Sequence, residues 1–529
     1  MSYRGGTYEK VTMDEALDLI KDGDTVAVSG FLYVCYPQEI ITKLGERIKA
    51  GNGPKDLTLI HAAGMGNNVD RGLTEISFEG TVKRYVSGHL SNNQNMIKLI
   101  NENKVEAWNF PQGAVCKLYR ARSEGMPGLL SKIGLGTYVD PRQEGGRLNE
   151  VTKDELVKLV EIEGEEFLFY KTPDIDIAII RGTTADEHGN ITMEDESSFI
   201  DTRELAMAAH ASGGKVIVQV KNFVSSKSLD RSKVIIPGVF FDAVVVSENP
   251  YELHRQSPGT FCSPIISGQN QMDMTAAKPV EMNQRKIIPR RAALDLKPNS
   301  VVNMGIGIPE VVGNVAGEEG VGDELVMTIE SGLISGVPLG GADFGSAANA
   351  WGALTMPAQF DYYDGNGLDV TYLGFAEVDP KGNINVSKFG ERIAGAGGFI
   401  DISQATKNIY FCGTLTAGGL KTHIEDGKLV IDQEGRSKKF LKEIEQISYS
   451  AEFGLKHDQN CVFITERCVM IPTEKGLMIT EIAPGIDLQS QIINQMEFEP
   501  LVSENLKEMD SRIFAEGLMG LREEMKSCD

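Results

Sequence analysis

Paired cysteines, metal-ligand histidines, long apolar runs and positive charge are all in short supply in this 529-residue chain. The seven cysteines (Cys35, Cys116, Cys262, Cys412, Cys461, Cys468, Cys528) stand singly, with no C-x-x-C pair, so neither a disulfide framework nor a zinc knuckle is indicated. The seven histidines form no H-E-x-x-H or comparable ligand pair, and no metal is expected. No stretch approaches the ~18 apolar residues of a membrane span, and the opening MSYRGGTYEKVTMDEAL has no apolar targeting core. Basic residues are outnumbered, 52 against 75, for a net charge of −23. Such a surface repels phosphate backbones and anionic lipid heads, so neither nucleic acid nor membrane is expected as a partner. A local basic groove for an anionic cofactor stays compatible with it. These absences point to a soluble protein of a reducing cytoplasm.

Glycine is in excess. There are 57, against about 37 at the usual ~7%. Residues 305–398 hold 20 of them in 94 positions. No G-X-Y period exists and prolines number only 20, which excludes collagen. The glycines sit among Val, Ile, Phe and Tyr runs, which excludes a flexible linker. They mark places where backbone turns tightly or approaches something closely.

The opening reads as a helix over Met13–Lys21 with Thr12 and Glu15 as a capping box, then a buried strand over Thr25–Ser29. A helix over Gln38–Ala50 and a strand over Leu57–His61 follow. Strands alternating with helical patterns predict an α/β chain with mainly parallel sheets. Residues 148–169 read as a charged helix, and 503–527 as a helix with Leu506, Met509, Ile513, Phe514, Leu518 and Leu521 on a packing stripe.

Two pairs of segments repeat in the same order. A-L-D-L-I-K-D-G-D-T-V-A-V-S-G-F (16–31) matches A-L-D-L-K-P-N-S-V-V-N-M-G-I-G-I-P (293–309). I-D-I-A-I-I-R-G-T-T-A-D-E-H-G-N-I-T (175–192) matches L-D-V-T-Y-L-G-F-A-E-V-D-P-K-G-N-I-N (368–385). Two related open α/β halves are expected, 1–275 and 285–529, with a Pro/Ser/Gly-rich seam within 256–290.

Four segments can carry chemistry. In V-M-T-I-E-S-G (326–332) a strand delivers Glu330 to its carboxyl end, where glycines leave space; a carboxylate there is a nucleophile, a base or a hydrated surface group. N-M-G-I-G-I-P (303–309) lacks the third glycine of a dinucleotide fingerprint, but can bring a helix N-terminus near an anion. I-A-G-A-G-G-F-I-D (393–401) exposes backbone N–H groups as an oxyanion hole requires, or makes a packing turn. N-F-P-Q-G (109–113) sets Gln112 at a strand-to-helix junction, as an amide donor or a turn cap. His61, His89 and His188 have no serine in a G-x-S-x-G elbow, and Cys116 and Cys412 read as core thiols.

With these segments the chain resembles the family I coenzyme A transferases, in particular the single-chain propionate and acetate types. The likeness runs through S-G-F (29–31), F-P-Q-G (110–113), K-I-G-L-G-T-Y-V-D-P-R (132–142), N-M-G-I-G-I-P (303–309) and E-S-G (330–332). It continues through G-N-I-N-V-S (382–387), G-A-G-G-F-I (395–400), F-C-G-T-L-T-A-G-G-L (411–420) and E-I-A-P-G-I-D-L (481–488). The resemblance implies fused α- and β-subunit-like halves and Glu330 as a nucleophile that passes CoA through a glutamyl-CoA thioester. It implies Gln112 and the backbone of Ala396, Gly397 and Gly398 as oxyanion donors. Gly305, Ile306, Gly307, Ile308, Pro309 and Gly395 would line the CoA path. CoA is then substrate and covalent intermediate, no cofactor is permanently bound, and the protein is a homo-oligomer, dimer or tetramer. Many two-subunit relatives carry Glu-Asn-Gly or Ser-Asn-Gly at the nucleophile; Glu330-Ser331-Gly332 disfavours acetoacetate or succinate as the acid. Acetate, propionate, butyrate and lactate remain. The rivals are an acyl-CoA hydrolase using the same carboxylate, and a non-catalytic binder of CoA or sugar phosphate.

Overall fold

A computed structural model describes residues 10–67, 69–271 and 280–526; residues 272–279, inside the expected seam, lie outside the described residues. The chain folds as two units. The first gathers the described parts of Met1–Met272 with Ile329–Asp361 and Phe389–Asp401. The second gathers those of Asp273–Thr328, Tyr362–Lys388 and Ile402–Asp529.

In the first unit Thr12 caps α1 (Met13–Leu17): its hydroxyl accepts the Glu15 N–H, and the Glu15 carboxylate accepts the Thr12 N–H. The helix ends before Lys21, because Leu19 and Ile20 bond three residues back and tighten the turn. The sheet comprises β1 (Thr25–Val28), β2 (Leu57–His61), β3 (Val82–Ser87), β4 (Glu106–Asn109), β5 (Ile177–Arg181), β6 (Lys215–Val220) and β7 (Ala243–Val246). Their order is β7-β6-β5-β1-β2-β3-β4, every pair parallel. Helices α2 (Gln38–Lys49), α3 (Gln94–Asn101), α4 (Gln112–Ser123) and α5 (Thr202–Ala211) fall between strands. β5 is buried at all five positions, as a parallel strand covered on both faces must be. Val26, Leu59, Ile177, Ile179 and Ile217 belong to one core, each side chain worth about 1.5–3 kcal/mol of burial.

The second unit has β8 (Val301–Met304), β9 (Val326–Thr328), β10 (Val370–Leu373), β11 (Asn408–Cys412), β12 (Asn460–Ile464), β13 (Cys468–Thr473), β14 (Gly476–Ile482) and β15 (Leu501–Glu508). They run in the order β9-β8-β10-β11-β12-β13-β14-β15, parallel from β9 to β12.

The repeat is visible in three dimensions. β2-β1-β5 and β9-β8-β10 have the same order, the same parallel pairing and the same place in the chain. The turn after β5 matches the turn after β10 bond for bond. Asp186 Oδ1 accepts the N–H of His188 (2.9 Å) and Asn190 (2.8 Å), and Asn190 Nδ2 donates back to Asp186 Oδ2 (2.9 Å). Asp379 does the same with Lys381 (2.9 Å), Asn383 (2.9 Å) and the Asn383 amide (2.8 Å). Gly189 and Gly382 take the positive φ the turn needs, 75° and 90°.

Two expected helices are corrected. Within 148–169, Val157–Ile162 pairs antiparallel with Glu165–Lys171. Glu163 and Gly164, at φ 54° and 82°, form the two-residue turn that such hairpins favour. Residues 503–527 are not one helix. β15 pairs beside β14, a 3-10 turn covers Ser511–Phe514, and only Leu521–Lys526 is α-helical. Gly517 and Gly520, at φ 90° and 86°, interrupt the pattern. Met509, Ile513, Phe514 and Leu521 are buried, whereas Leu518 is exposed. Cys116 and Cys412 are buried free thiols, which burial pushes up in pKa.

Candidate active site

β4 ends on Asn109, and Phe110-Pro111 turn the chain so that Gln112 starts α4. Pro111 has no N–H to leave unsatisfied there. Gln112 is buried; its backbone N–H donates to the Gly397 carbonyl at 2.9 Å. Its side-chain Nε2 donates to Glu330 Oε2 at 3.3 Å and to the Met356 sulfur at 3.4 Å.

Glu330 comes two residues after β9, at the tip of a tight turn. Ile329 N–H donates to Leu333 O (3.0 Å) and Gly332 N–H to Ile329 O (2.9 Å). Gly332 is at φ 111°, and a Cβ there would lie 2.1 Å from the Leu354 carbonyl oxygen, so the turn admits only glycine. Ser331, fully buried, donates from Oγ to Gly345 O (2.7 Å), and its carbonyl accepts the Ser198 hydroxyl. The turn is therefore pinned on both sides of the carboxylate. Burial pushes the Glu330 carboxyl up to about 7, against the pull of the Gln112 hydrogen bond.

The third segment meets these two. A Cβ on Gly398 would stand 2.6 Å from Glu330 Oε2, so the loop backbone lies directly against the carboxylate. Gly395 and Gly397 have positive φ (79° and 56°). Not every N–H of the loop points outward: Ala396 N–H donates to Asn109 Oδ1 at 3.0 Å, and Gly397 N–H to Gly88 O at 2.9 Å. The Gly398 N–H has no hydrogen-bond partner among the described residues. Three segments spread over nearly 300 residues thus converge on a carboxylate, a side-chain amide and glycine backbone.

Over 516 residues the chain is 43% identical to acetate CoA-transferase YdiF of Escherichia coli (strain K12), covering 97% of each protein. The chain belongs to the coenzyme A transferase family. The family model for coenzyme A transferase matches residues 10–247. Caffeate CoA-transferase of Acetobacterium woodii is 41% identical over 97% of this chain and 98% of its own. The crystal structure of acyl-CoA transferase YdiF from E. coli O157:H7, a thioester complex with CoA, superposes with a TM-score of 0.92. That match has 42% identity over 98% of this chain and 99% of the other.

For a CoA-transferase the charge state of the site matters as much as its shape. His89 Nε2 lies 2.6 Å from Ser91 Oγ; His61 bonds to Ala63 O and Tyr85 Oη at 2.7 and 2.5 Å. Burial pushes both imidazoles down to about 4, so both are neutral at pH 7. Gly305, Ile306, Gly307, Ile308 and Pro309 belong to the second unit, between β8 and α6 (Val311–Glu318). There Gly305 N–H donates to Tyr372 O (2.8 Å), Ile306 is exposed, and a Cβ on Gly307 would meet nothing within 4 Å. Among the described residues no cluster of three or more His, Cys, Asp or Glu is placed to hold a metal, and no helix is long and apolar enough to cross a membrane. Asn109 and Met356 were not among the residues the sequence singled out for chemistry. The bonds that bring them to the site, Asn109 with Ala396 and Met356 with Gln112, span 287 and 244 residues, and no local pattern announces them.

Proposed function

We propose that the chain is an acyl-CoA:carboxylate CoA-transferase for short-chain monocarboxylates of the acetate, propionate, butyrate and lactate class, working in ping-pong through Glu330. One observation carries this reading: a half-sequestered carboxylate stands between a side-chain amide donor and glycine backbone too close to admit a methyl group. A Glu330 oxygen attacks the thioester carbon; a C–O bond forms, the C–S bond breaks, and CoA leaves as its thiolate. The thiolate then attacks the glutamyl carbonyl of the mixed anhydride, forming glutamyl-CoA and releasing the first acid as its carboxylate. A second carboxylate retraces these steps and departs as the new acyl-CoA. One thioester replaces another throughout, so the exchange is near balance without an external energy source.

A carboxylate is a weak nucleophile, so positioning and oxyanion stabilisation supply most of the acceleration. Gln112 Nε2 and the Gly398 N–H are the donors favoured for the developing oxyanion, each worth roughly 2.7–4 kcal/mol in such a role. Ala396 and Gly397, whose N–H groups are already bonded, would shape the hole rather than donate into it. Gly395 and Gly305–Pro309 are proposed to line the CoA path. Residues 1–275 and 285–529 are proposed as α- and β-subunit-like halves, which the repeated turn and the family match ending at residue 247 support. A cytoplasmic homo-oligomer, dimer or tetramer, completes the reading.

The test is covalent. Incubation with acyl-CoA and no acceptor should add the mass of CoA, less water, to the peptide containing Glu330. Steady CoA release without a second acid would instead identify a hydrolase, and binding without adduct a non-catalytic binder. A panel of acceptor acids against one acyl-CoA then ranks the substrates.

A further inference from the structure

Asn109 stands at the end of β4, fully buried, three residues before Gln112. Its side-chain amide uses its whole hydrogen-bonding capacity, two donors and two acceptor lone pairs. Nδ2 donates to Ser87 O at 2.7 Å and to Gly88 O at 2.8 Å. Oδ1 accepts the Ala396 N–H at 3.0 Å and the Tyr138 hydroxyl. Gly88 and Ala396 lead to the site. Gly88 O also accepts the Gly397 N–H, and Gly397 O accepts the Gln112 N–H. Leu90 N–H donates to Ala394 O at 2.9 Å, closing the same loop onto the segment after β3. The contact is tight: a Cβ on Gly395 would lie 2.7 Å from Asn109 Nδ2 and 3.1 Å from Oδ1.

We infer that Asn109 is a positioning residue for the transfer reaction: its amide ties the Ala394–Gly398 loop to the ends of β3 and β4, and so fixes Gly398 and Gln112 against Glu330. This deepens the role proposed for Glu330 and rests on it. The physical reason is geometric. An oxyanion donor acts only when its N–H points at the place where charge develops, and a shift of about 1 Å can cost about 100-fold in rate. The loop has three glycines in four positions (395, 397 and 398) and little stiffness of its own; the amide supplies what the glycines do not. A buried amide left with half its bonds would be costly, so full satisfaction also favours one arrangement of the loop over its neighbours.

The experiment compares a fully buried amide with a half-buried one. Asn149 Nδ2 donates to Ile100 O and Val105 O, both at 2.9 Å, and clamps backbone outside this site. Asn109→Ala should lower kcat about 100-fold with KM for acyl-CoA within about threefold, and slow CoA adduct formation on Glu330 in parallel. Asn149→Ala should lower Tm by a comparable amount and leave kcat within about twofold. Equal kcat losses at equal Tm losses would reduce Asn109 to a structural role, and wild-type kcat in Asn109→Ala would overturn the inference outright. If Asn109→Ala fails to fold, Tyr138→Phe removes a single donor from Oδ1 and should lower kcat several-fold; an unchanged kcat overturns the inference again. The wild-type adduct is read in the same series. If it is missing from the Glu330 peptide, the nucleophile assignment fails; if it is present while the Asn109 and Tyr138 variants form it at wild-type rate, only this inference fails.

Discussion

β2 in the first unit and β9 in the second occupy the same position in two copies of one design, yet they end differently. β2 pairs with β1 through Thr25↔Thr58, and β9 pairs with β8 through Val301↔Val326. Four residues beyond each partner, the first copy reaches Ala62 and the second Glu330. Ala62 is fully buried. Glu330 rides instead on a glycine-locked turn with its carboxylate held to one amide. The scaffold of parallel strands supplies a position; on the proposed reading the chemistry comes from one residue type and from the turn that presents it. That reading has the repeated scaffold carry the proposed nucleophile in one copy only.

The largest expected effect breaks this comparison at its centre. Glu330→Ala gives the second copy the residue the first already has. It should cost about 10⁴-fold or more in transfer rate, as loss of a nucleophile does elsewhere, and abolish the CoA adduct. Transfer at the wild-type rate would end the nucleophile assignment. Next comes the cost of placing a carboxylate there. With a folded pKa of about 7 against 4.5 when exposed, Glu330 binds more protons in the folded state between those values. Its contribution therefore turns unfavourable as pH rises from 4.5 to 7, reaching about 3 kcal/mol above pH 7. Glu330→Gln should be more stable than wild type at pH 8 and nearly equal at pH 4.5, as thermal melts at the two pH values will read. Adduct formation should rise through pH 7 as the carboxylate ionises. Gln112→Leu, which removes the bond favouring the ionised form, should move that midpoint upward.

The glycine excess can be divided by the same comparison. Gly398→Ala would push a methyl group into the Glu330 carboxylate, and the displacement should lower kcat about 100-fold, near 2.7 kcal/mol. Gly317→Ala, on α6, meets nothing within 4 Å and should leave turnover unchanged. Steady-state rates of the two variants decide whether the crowded glycine, rather than glycine content as such, serves the site.

Much of this is legible in the sequence alone. The Thr12–Glu15 box, the Thr25 and Leu57 strands and the Gly-Asn repeat are local patterns, written by capping, periodicity and turn chemistry that act over a few residues. Glu330 was legible because an apolar run ended in a carboxylate followed by glycine. The hairpin over 157–171 is hard to read because its apolar residues, at 157, 159, 160 and 162 and again at 167–170, break the alternation of a half-buried strand; Glu163-Gly164 is the signal. Asn109 was read only as part of the segment containing Gln112. Its bond to Ala396 spans 287 residues, and no local rule contains such a partner. The occupied N–H groups of Ala396 and Gly397 were hidden for the same reason.

The smallest effect tests the likeness of the copies rather than their difference. Asn190 and Asn383 have matching roles: each amide donates to the turn Asp, and each Oδ1 accepts a distant N–H, from Gly238 at 3.2 Å and from Ala451 at 2.9 Å. Asn190→Ala and Asn383→Ala should each destabilise by about 1–2 kcal/mol, the cost of one net hydrogen bond and a buried N–H left unpaired. Both should leave the pH midpoint of adduct formation in place, because neither residue touches Glu330, Gln112 or Gly398. Matching losses in thermal melts would confirm that the turn does the same structural work in the copy with the proposed nucleophile and in the one without. A loss confined to Asn383→Ala, together with a shifted midpoint, would mean that the second copy's turn has been drawn into the reaction, and that the division between shared scaffold and local chemistry is drawn in the wrong place.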